Sequence, residues 1–376
     1  MKIKKEKKKL DLSSMSQWEL IGLRFHKHKL ASFSGILICG LYFISFFADF
    51  FSVNQPYEIS IKNIYSPPNL PRFNIKRGFY AYSMKQLTDP VTLERYYIED
   101  KEKIIPLAFF VRGYEYKIGG IIPSNLHFFG VDISKISTKT EKDNNLKFLL
   151  FGGDKFGRDI FSRLIIGSRI SLSIGLISIF LSFFLGVTVG GISGFFGGIV
   201  DTIIQRIIEI INAFPKLPLW LALGAALPRT WSNLQIYFGI TLILSLIGWT
   251  GLARVVRGKI LSLREEDYIT AVRLLGANNI RIIFKHLIPG FTSHIIVTIT
   301  MAIPGMILGE TSLSFLGLGL KSPTISLGVM LQDCMSMQVV KTYPWLLLPV
   351  VFIILIVMSF NFIGDGLRDA ADPYHS

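Results

Sequence analysis

The chain has 376 residues, of which 50% are hydrophobic and 13% aromatic, and carries a formal net charge of +14. It is too apolar for an ordinary soluble domain and too long for one small core, so a polytopic membrane protein is expected. Lysine and arginine gather at the ends of apolar runs, which argues for membrane lipid and against nucleic acid as the partner of that charge.

The first 30 residues hold Lys2, Lys4, Lys5, Lys7, Lys8, Lys9, Arg24, Lys27 and Lys29 against Glu6, Asp11 and Glu19. An apolar run follows over 31–53. This flank predicts a basic cytoplasmic segment, 1–30, and a first span. A cleaved signal peptide is the rival, but its basic region would be unusually long and no A-x-A-like site follows. Residues 54–167 turn polar, with Pro56, Pro67, Pro68, Pro71 and Pro90 and β-like runs such as "IIPLAFFVRGYEYKIGG". They predict a folded extracytoplasmic insertion, β-rich or mixed α/β, leading into the second span.

That span is expected between Arg169 and Asp201, where no charge occurs. Gly186, Gly190 and Gly194 share one helix face there, for close packing or for a hinge. In "DTIIQRIIEIINAFPKLPLWLALGAALP", Asp201, Arg206, Glu209 and Lys216 interrupt the apolar pattern and Pro215 and Pro218 break it. It is either a third span starting near the cytoplasm or an interfacial helix feeding a shorter one. Thr230–Ala253, Leu287–Gly309 and Thr342–Gly364 bring the count to six, which puts both termini, including the tail 368–376, on the cytoplasmic side. The loop over about 254–289 falls on that side too, in agreement with Arg254, Arg257, Lys259, Arg264, Arg273, Arg281 and Lys285.

Within this loop, "DYITAVRLLGANNIRIIFKHLIP" places Tyr268, Ile269, Val272 and Leu275 on one helical face. Gly276 permits a bend, Asn279 is the expected cap of a second helix, and Ile280, Ile283, Phe284 and Leu287 form its apolar face before Pro289. These faces rest on the membrane or the bundle, or else one helix docks into a groove on a partner; pattern does not choose.

Other polar groups divide in the same way. Arg158, Asp159 and Arg163 are expected near the outer surface, as an exposed salt-bridged corner contributing below about 1 kcal/mol per pair, or as ligand contacts. Glu310 follows a charge-free run, where an unpaired carboxylate is costly, and suits a packing hydrogen bond or a translocation path. Asp365, Arg368 and Asp369 suit interfacial anchoring. His286 and His294 lack partners at ligand spacing, and Cys39 and Cys334 form neither a disulfide framework nor a metal pattern. No P-loop, H-E-x-x-H or G-x-S-x-G motif occurs, so no enzyme activity is expected.

The loop resembles the coupling loop of ABC importer permeases, whose pattern is an E-A-A triplet, a glycine four residues on and a later proline. Thr270, Ala271 and Val272 occupy the triplet, with Thr270 in place of the glutamate; Gly276 stands at the glycine and Pro289 at the proline. The resemblance implies contact with an ATP-binding subunit through Asp267, Tyr268, Thr270, Ala271, Val272, Arg273, Leu275, Gly276, Ala277 and Pro289. A second block, "FGGDKFGRDIFSRLIIGSRISLSIG", resembles the signature before the second span in inner permeases of dipeptide, oligopeptide and nickel importers. Asp154, Gly157, Arg158, Asp159, Ser162, Arg163 and Arg169 match it; Gly153 stands where threonine is usual. "GETSLSFLGLGLKSPTISLGVML" and "FNFIGDGLRDAADP" resemble later blocks of the same subunits. The long insertion resembles the subfamily that includes microcin-type peptide importers.

What the resemblance implies is an all-α polytopic protein with six transmembrane helices of the type I ABC importer permease fold, its core over 168–367, in a bacterial inner membrane. It would be the permease subunit of an ATP-driven peptide importer, with nickel or another small solute as the alternative cargo. Its partners would be a second homologous permease, two ATP-binding subunits holding ATP and Mg2+, and an extracytoplasmic substrate-binding protein. This chain itself would bind no cofactor. Glu310 and Ser314 are the candidate path residues. A secondary transporter would need repeated halves with paired carboxylates, which are not seen. A membrane enzyme would need clustered His and Asp near one interface, and a sensing receptor would leave the amphipathic loop without a role.

Overall fold

The computed structural model describes residues 16–91, 95–135, 146–228 and 230–372. Lys2 to Lys9, and Pro373 of the last block, lie outside them. Helix α1 (Gln17–Lys27) opens on a capping box: Ser16 N–H donates to Glu19 Oε2 at 2.8 Å and Glu19 N–H to Ser16 Oγ at 3.4 Å. The first span is α2 (Lys29–Phe46), extended by the short α3 (Ala48–Phe51).

The insertion is a four-stranded antiparallel meander in the order β1-β2-β3-β4, comprising β1 (Arg72–Asn74), β2 (Gly78–Thr88), β3 (Arg95–Ile118) and β4 (Ile122–Val131). Ala81 pairs with Ile105 and Leu107 with Val131. Ala81, Ile105 and Leu107 close over Phe148 as a small core of their own.

Helix α4 (Ile160–Phe196) has 37 residues, about 55 Å long, and so exceeds the roughly 30 Å hydrocarbon core. It begins upstream of Arg169, where the charge pattern alone suggested a boundary. Asp159 caps it, accepting from the N–H groups of Phe161 and Ser162. Arg169 sits inside the helix because its guanidinium is satisfied by the C-terminal end of the first span: it bonds Ser45 O at 2.8 Å and Asp49 Oδ2 at 2.8 Å.

Next come α5 (Gly198–Ala213) and α6 (Lys216–Ala225), bent by 85° where Pro215 stands, then α7 (Asn233–Leu263). Since α4 ends and α7 begins at opposite ends of the bundle, the bent pair carries the chain across as one broken span. The loop helix α8 (Asp267–Leu274) leads through irregular helical turns to α9 (Thr292–Phe315), and α10 (Leu348–Ala371) closes the bundle. Among the described residues five helices are long and apolar enough to cross a membrane, six with the bent pair.

The main seam is α4 against α7. A Cβ on Gly190 would come within 2.5 Å of Ala253 O, and one on Gly194 within 2.8 Å of Arg257 O. Ser178 Oγ donates to Thr241 O at 3.3 Å, and Ser245 Oγ to Ser178 O at 3.1 Å. Small residues with interhelical hydroxyl bonds are how helices associate where lipid removes the hydrophobic drive. The glycine row is therefore a packing face, and α4 runs through it unbroken.

Candidate functional site

The loop after α7 is built around a glycine. Helix α8 ends in a Schellman motif: Ala277 N–H reaches back to Val272 O at 3.3 Å and Gly276 N–H to Arg273 O at 3.0 Å, with Gly276 at φ +81°. Asn278, not Asn279, caps the next turn, its side chain accepting from Arg281 N–H at 2.8 Å. Residues Ile282–Leu287 then form a π-helical stretch.

This geometry corrects the expected faces. Of Tyr268, Ile269, Val272 and Leu275, only Ile269 is fully buried; Val272 is half-buried, and Tyr268 and Leu275 are exposed. Leu275 leaves the helix at its C-cap, so its side chain no longer follows the α-helical phase. In the second half Ile282, Ile283 and Leu287 are buried while Ile280 and Phe284 are exposed, because i→i+5 bonding shifts the phase away from 3.6 residues per turn. Ile269, Ile282, Ile283 and Leu287 pack with Val187, Leu252, Val256 and Ile260 at the ends of α4 and α7. Leu274 and Leu275, by contrast, are 84% and 86% exposed. Thr270, Ala271, Arg273 and Pro289 are exposed as well, and Asp267 opens the first turn of α8.

The loop is tied to the bundle by charge. Arg264 Nη1 donates to Gly194 O at 3.1 Å and Phe195 O at 3.3 Å, and the Arg273 guanidinium stands 5.8 Å from the Phe195 ring centroid. Arg257 holds Asp201 through two nitrogens, and Ser193 donates to the same carboxylate, joining α4, α5 and α7. Sequence reasoning took Asp201 for an interruption of a span; its partner lies 56 residues on and gives no local signal. It also passed over Leu274, the exposed leucine adjoining Leu275.

The signature block forms a knot at the other end of α4. Asp154 Oδ2 accepts from Arg158 Nε at 2.7 Å and lies 3.4 Å from Arg163 Nε, while its Oδ1 accepts from Phe156 and Arg158 N–H at 2.8 and 3.0 Å. Arg163 Nη1 also donates to Pro56 O at 3.2 Å. Two expectations fail here. The corner is buried, not exposed, and Asp159 is in no ion pair among the described residues: it caps α4 and accepts from Ser162 Oγ at 2.6 Å and Asn54 Nδ2 at 3.1 Å. Ser162 Oγ in turn accepts from the N–H groups of Val53 and Asn54. Gly157 adopts φ +69°, where a Cβ would strike Ser60 O.

Glu310 and Ser314 come together with Ser171. The two hydroxyls donate to the carboxylate at 2.8 and 2.7 Å, Leu327 N–H donates to Ser171 Oγ and Leu320 N–H to Ser314 Oγ. All three side chains are fully buried, so they lock α4, α9 and the following loop together. Among the described residues no group of three or more His, Cys, Asp or Glu side chains is placed to hold a metal.

Residues 186–374 match the family described as binding-protein-dependent transport system inner membrane component, and residues 16–68 match the N-terminal transmembrane domain of oligopeptide transport permease C. The four strands fall between the two matched stretches. The chain is 42% identical over 224 residues to the oligopeptide transport system permease protein OppC of Bacillus subtilis, covering 59% of this chain and 71% of that protein. It is 41% identical over 224 residues to the dipeptide transport system permease protein DppC of Alkalihalophilus pseudofirmus, with 59% and 70% covered. It is 44% identical over 223 residues to the glutathione transport system permease protein GsiD of Salmonella typhimurium, with 59% and 71% covered. An inward-facing structure of the methionine ABC transporter MetNI shares 21% identity, covering 55% of this chain and 95% of that one, with a TM-score of 0.42. The chain belongs to the binding-protein-dependent inner-membrane permease family: it is a multi-pass, non-catalytic permease subunit of an ABC importer, working in a complex with ATPase subunits.

Proposed function

We propose that this subunit passes peptides inward and that the outward side of α8 seats one ATP-binding subunit. The observation that carries the reading is the pair Leu274 and Leu275, almost fully exposed at the C-terminal end of a helix that Ile269 locks into the bundle. Two leucines facing water beside a rigidly held helix fit the groove of a partner. When the nucleotide-bound partners close, α8 moves as a unit, and its buried contacts with α4 and α7 pass the displacement to the spans. ATP and Mg2+ belong to two such partner subunits, a second homologous permease completes the channel, and an extracytoplasmic substrate-binding protein delivers cargo.

The loop, α1 and the C-terminal end of α10 lie at one end of the bundle; Arg24 Nη1 donates to Asp372 O at 2.7 Å. With the loop's basic residues, this supports a cytoplasmic location for that end and for both termini, and an extracytoplasmic one for the sheet. The cargo named for the relatives, oligopeptide, dipeptide and glutathione, supports a peptide here. The inserted sheet supports the subfamily that includes microcin-type peptide importers.

Replacing Leu274 and Leu275 by glutamate is expected to leave membrane insertion unchanged while weakening capture of the ATP-binding subunits by about 2 kcal/mol or more, roughly 30-fold, with loss of coupled ATPase activity. Undiminished capture and coupling in that variant would refute the docking assignment. Uptake of labelled dipeptide, longer peptide and nickel, in cells lacking the chain and in cells with it restored, tests the cargo: restoration of nickel uptake alone would overturn the peptide reading.

A further inference from the structure

The end of the first span continues into the sheet as an unbroken series of aromatic rings. Phe43 lies 5.1 Å from Phe47 and 6.2 Å from Phe51 between ring centroids. Phe51 lies 5.4 Å from Phe128, and Phe50 6.4 Å from Phe110. From Phe128 the series steps to Phe109 at 5.5 Å, to Phe79 at 5.7 Å and to Phe73 at 5.0 Å. Phe73, Phe79, Phe109, Phe110 and Phe128 are all exposed.

Phe110 adds an independent observation. It holds φ +56°, a conformation costly for an aromatic residue, and its ring is 61% exposed beside Phe50 and Phe128. A strained backbone that turns a large apolar ring outward has no explanation in the sheet's own core, which is built from Ala81, Ile105, Leu107 and Phe148.

We infer that the inserted sheet lies against the lipid leaflet on its own side of the membrane, with this series of rings as its interfacial anchor. Three features select lipid over a protein partner. First, the surface is continuous with one already in the bilayer: Phe43 and Phe46 are exposed on α2, a span. Second, the level is right: α2 with α3 runs from Lys29 to Phe51, about 35 Å, so Phe50 and Phe51 emerge just beyond a hydrocarbon core of roughly 30 Å. Aromatic rings concentrate at that boundary. Third, the far end of the series is the β1–β2 hairpin, where Ile75, 94% exposed, is followed by Lys76 and Arg77, and among the described residues neither cation has an acidic partner. Apolar side chains beside free cations fit a surface of anionic headgroups. Such an anchor holds the sheet to the side of the bundle, rooted by Phe50 and Phe51 and fixed at its tip by the hairpin.

The test uses the full chain in nanodiscs containing anionic lipid, with Cys39 and Cys334 replaced by serine and nitroxide labels at Phe73→Cys, Ile75→Cys or Phe110→Cys, and at Glu102→Cys as a solvent-facing reference. The ratio of oxygen to nickel-chelate collisions is expected to be several-fold higher at the three anchor positions than at residue 102. Ile75→Cys keeps the test decisive if either phenylalanine variant fails to fold, since Ile75 contributes nothing to the core. In the Lys76→Glu, Arg77→Glu background the ratio at residue 75 is expected to fall toward the reference value. Equal chelate access at residues 75 and 102 would overturn the inference, as would chelate access that declines only when the second permease or a substrate-binding protein is added.

Discussion

Asp154 is the residue on which the signature knot depends. It sits 3% exposed between two arginines and also receives two backbone N–H bonds. Asp154→Asn leaves the buried Arg158 and Arg163 without their carboxylate, which costs about 3–5 kcal/mol. The expected outcome is a clear drop in the thermal unfolding midpoint of the purified subunit. Asp333 provides the contrast. It pairs with Lys155 at 2.9 Å, but Lys155 is largely exposed, and burial pushes the Asp333 carboxyl above its ordinary value despite that lysine. The ionised form is thus penalised in the fold at neutral pH, and the penalty lifts as pH falls toward the raised value. Asp333→Asn is therefore expected to move the neutral-pH midpoint far less than Asp154→Asn. The same logic separates two glycines. A Cβ at Gly276 meets nothing within 4 Å, so Gly276→Ala adds only left-handed backbone strain, about 1–2 kcal/mol. Gly157→Ala adds a collision with Ser60 O to similar strain and is expected to reduce the yield of folded protein much more. The residue types at these positions stood out in the sequence. Their burial did not, because it depends on Pro56, Ser60 and Asn54, roughly a hundred residues earlier in the chain.

At the scale of elements, the α4–α7 seam brings two helix backbones as close as glycine and serine allow. Gly190→Val would force its side chain against the Ala253 carbonyl and part the helices at the end that carries the loop. The expected result is a subunit that inserts but couples poorly, measured as substrate-stimulated ATPase activity in the assembled transporter; unchanged coupling would show that the seam tolerates separation. The loop shows how far a periodic pattern can be trusted. Its residues signalled an amphipathic helix, a glycine turn and a second helix, and that order holds. The apolar faces did not hold, because a C-cap and a π-helical stretch change the phase, and neither is visible to a count at 3.6 residues per turn. The start of α4 was missed for a related reason. A charge is a poor marker of a helix end when carbonyls and a carboxylate of another span satisfy it, as Ser45 and Asp49 satisfy Arg169.

For the whole molecule, the sequence by itself determined a multi-pass membrane protein with up to six spans, a β-rich insertion after the first, and an amphipathic loop between the fourth and fifth. Those features follow from apolar length, the placement of positive charge and turn chemistry, all of which are local and survive without neighbours. Only the tertiary structure decided that the bent pair α5 and α6 crosses as one span, that Glu310 is locked between Ser171 and Ser314, and which leucines of the loop remain uncovered. It also decided that the phenylalanines of the insertion join those of the first span in one series of rings. These are relations between residues distant in the chain, and burial is a property of what packs against a side chain rather than of the side chain itself.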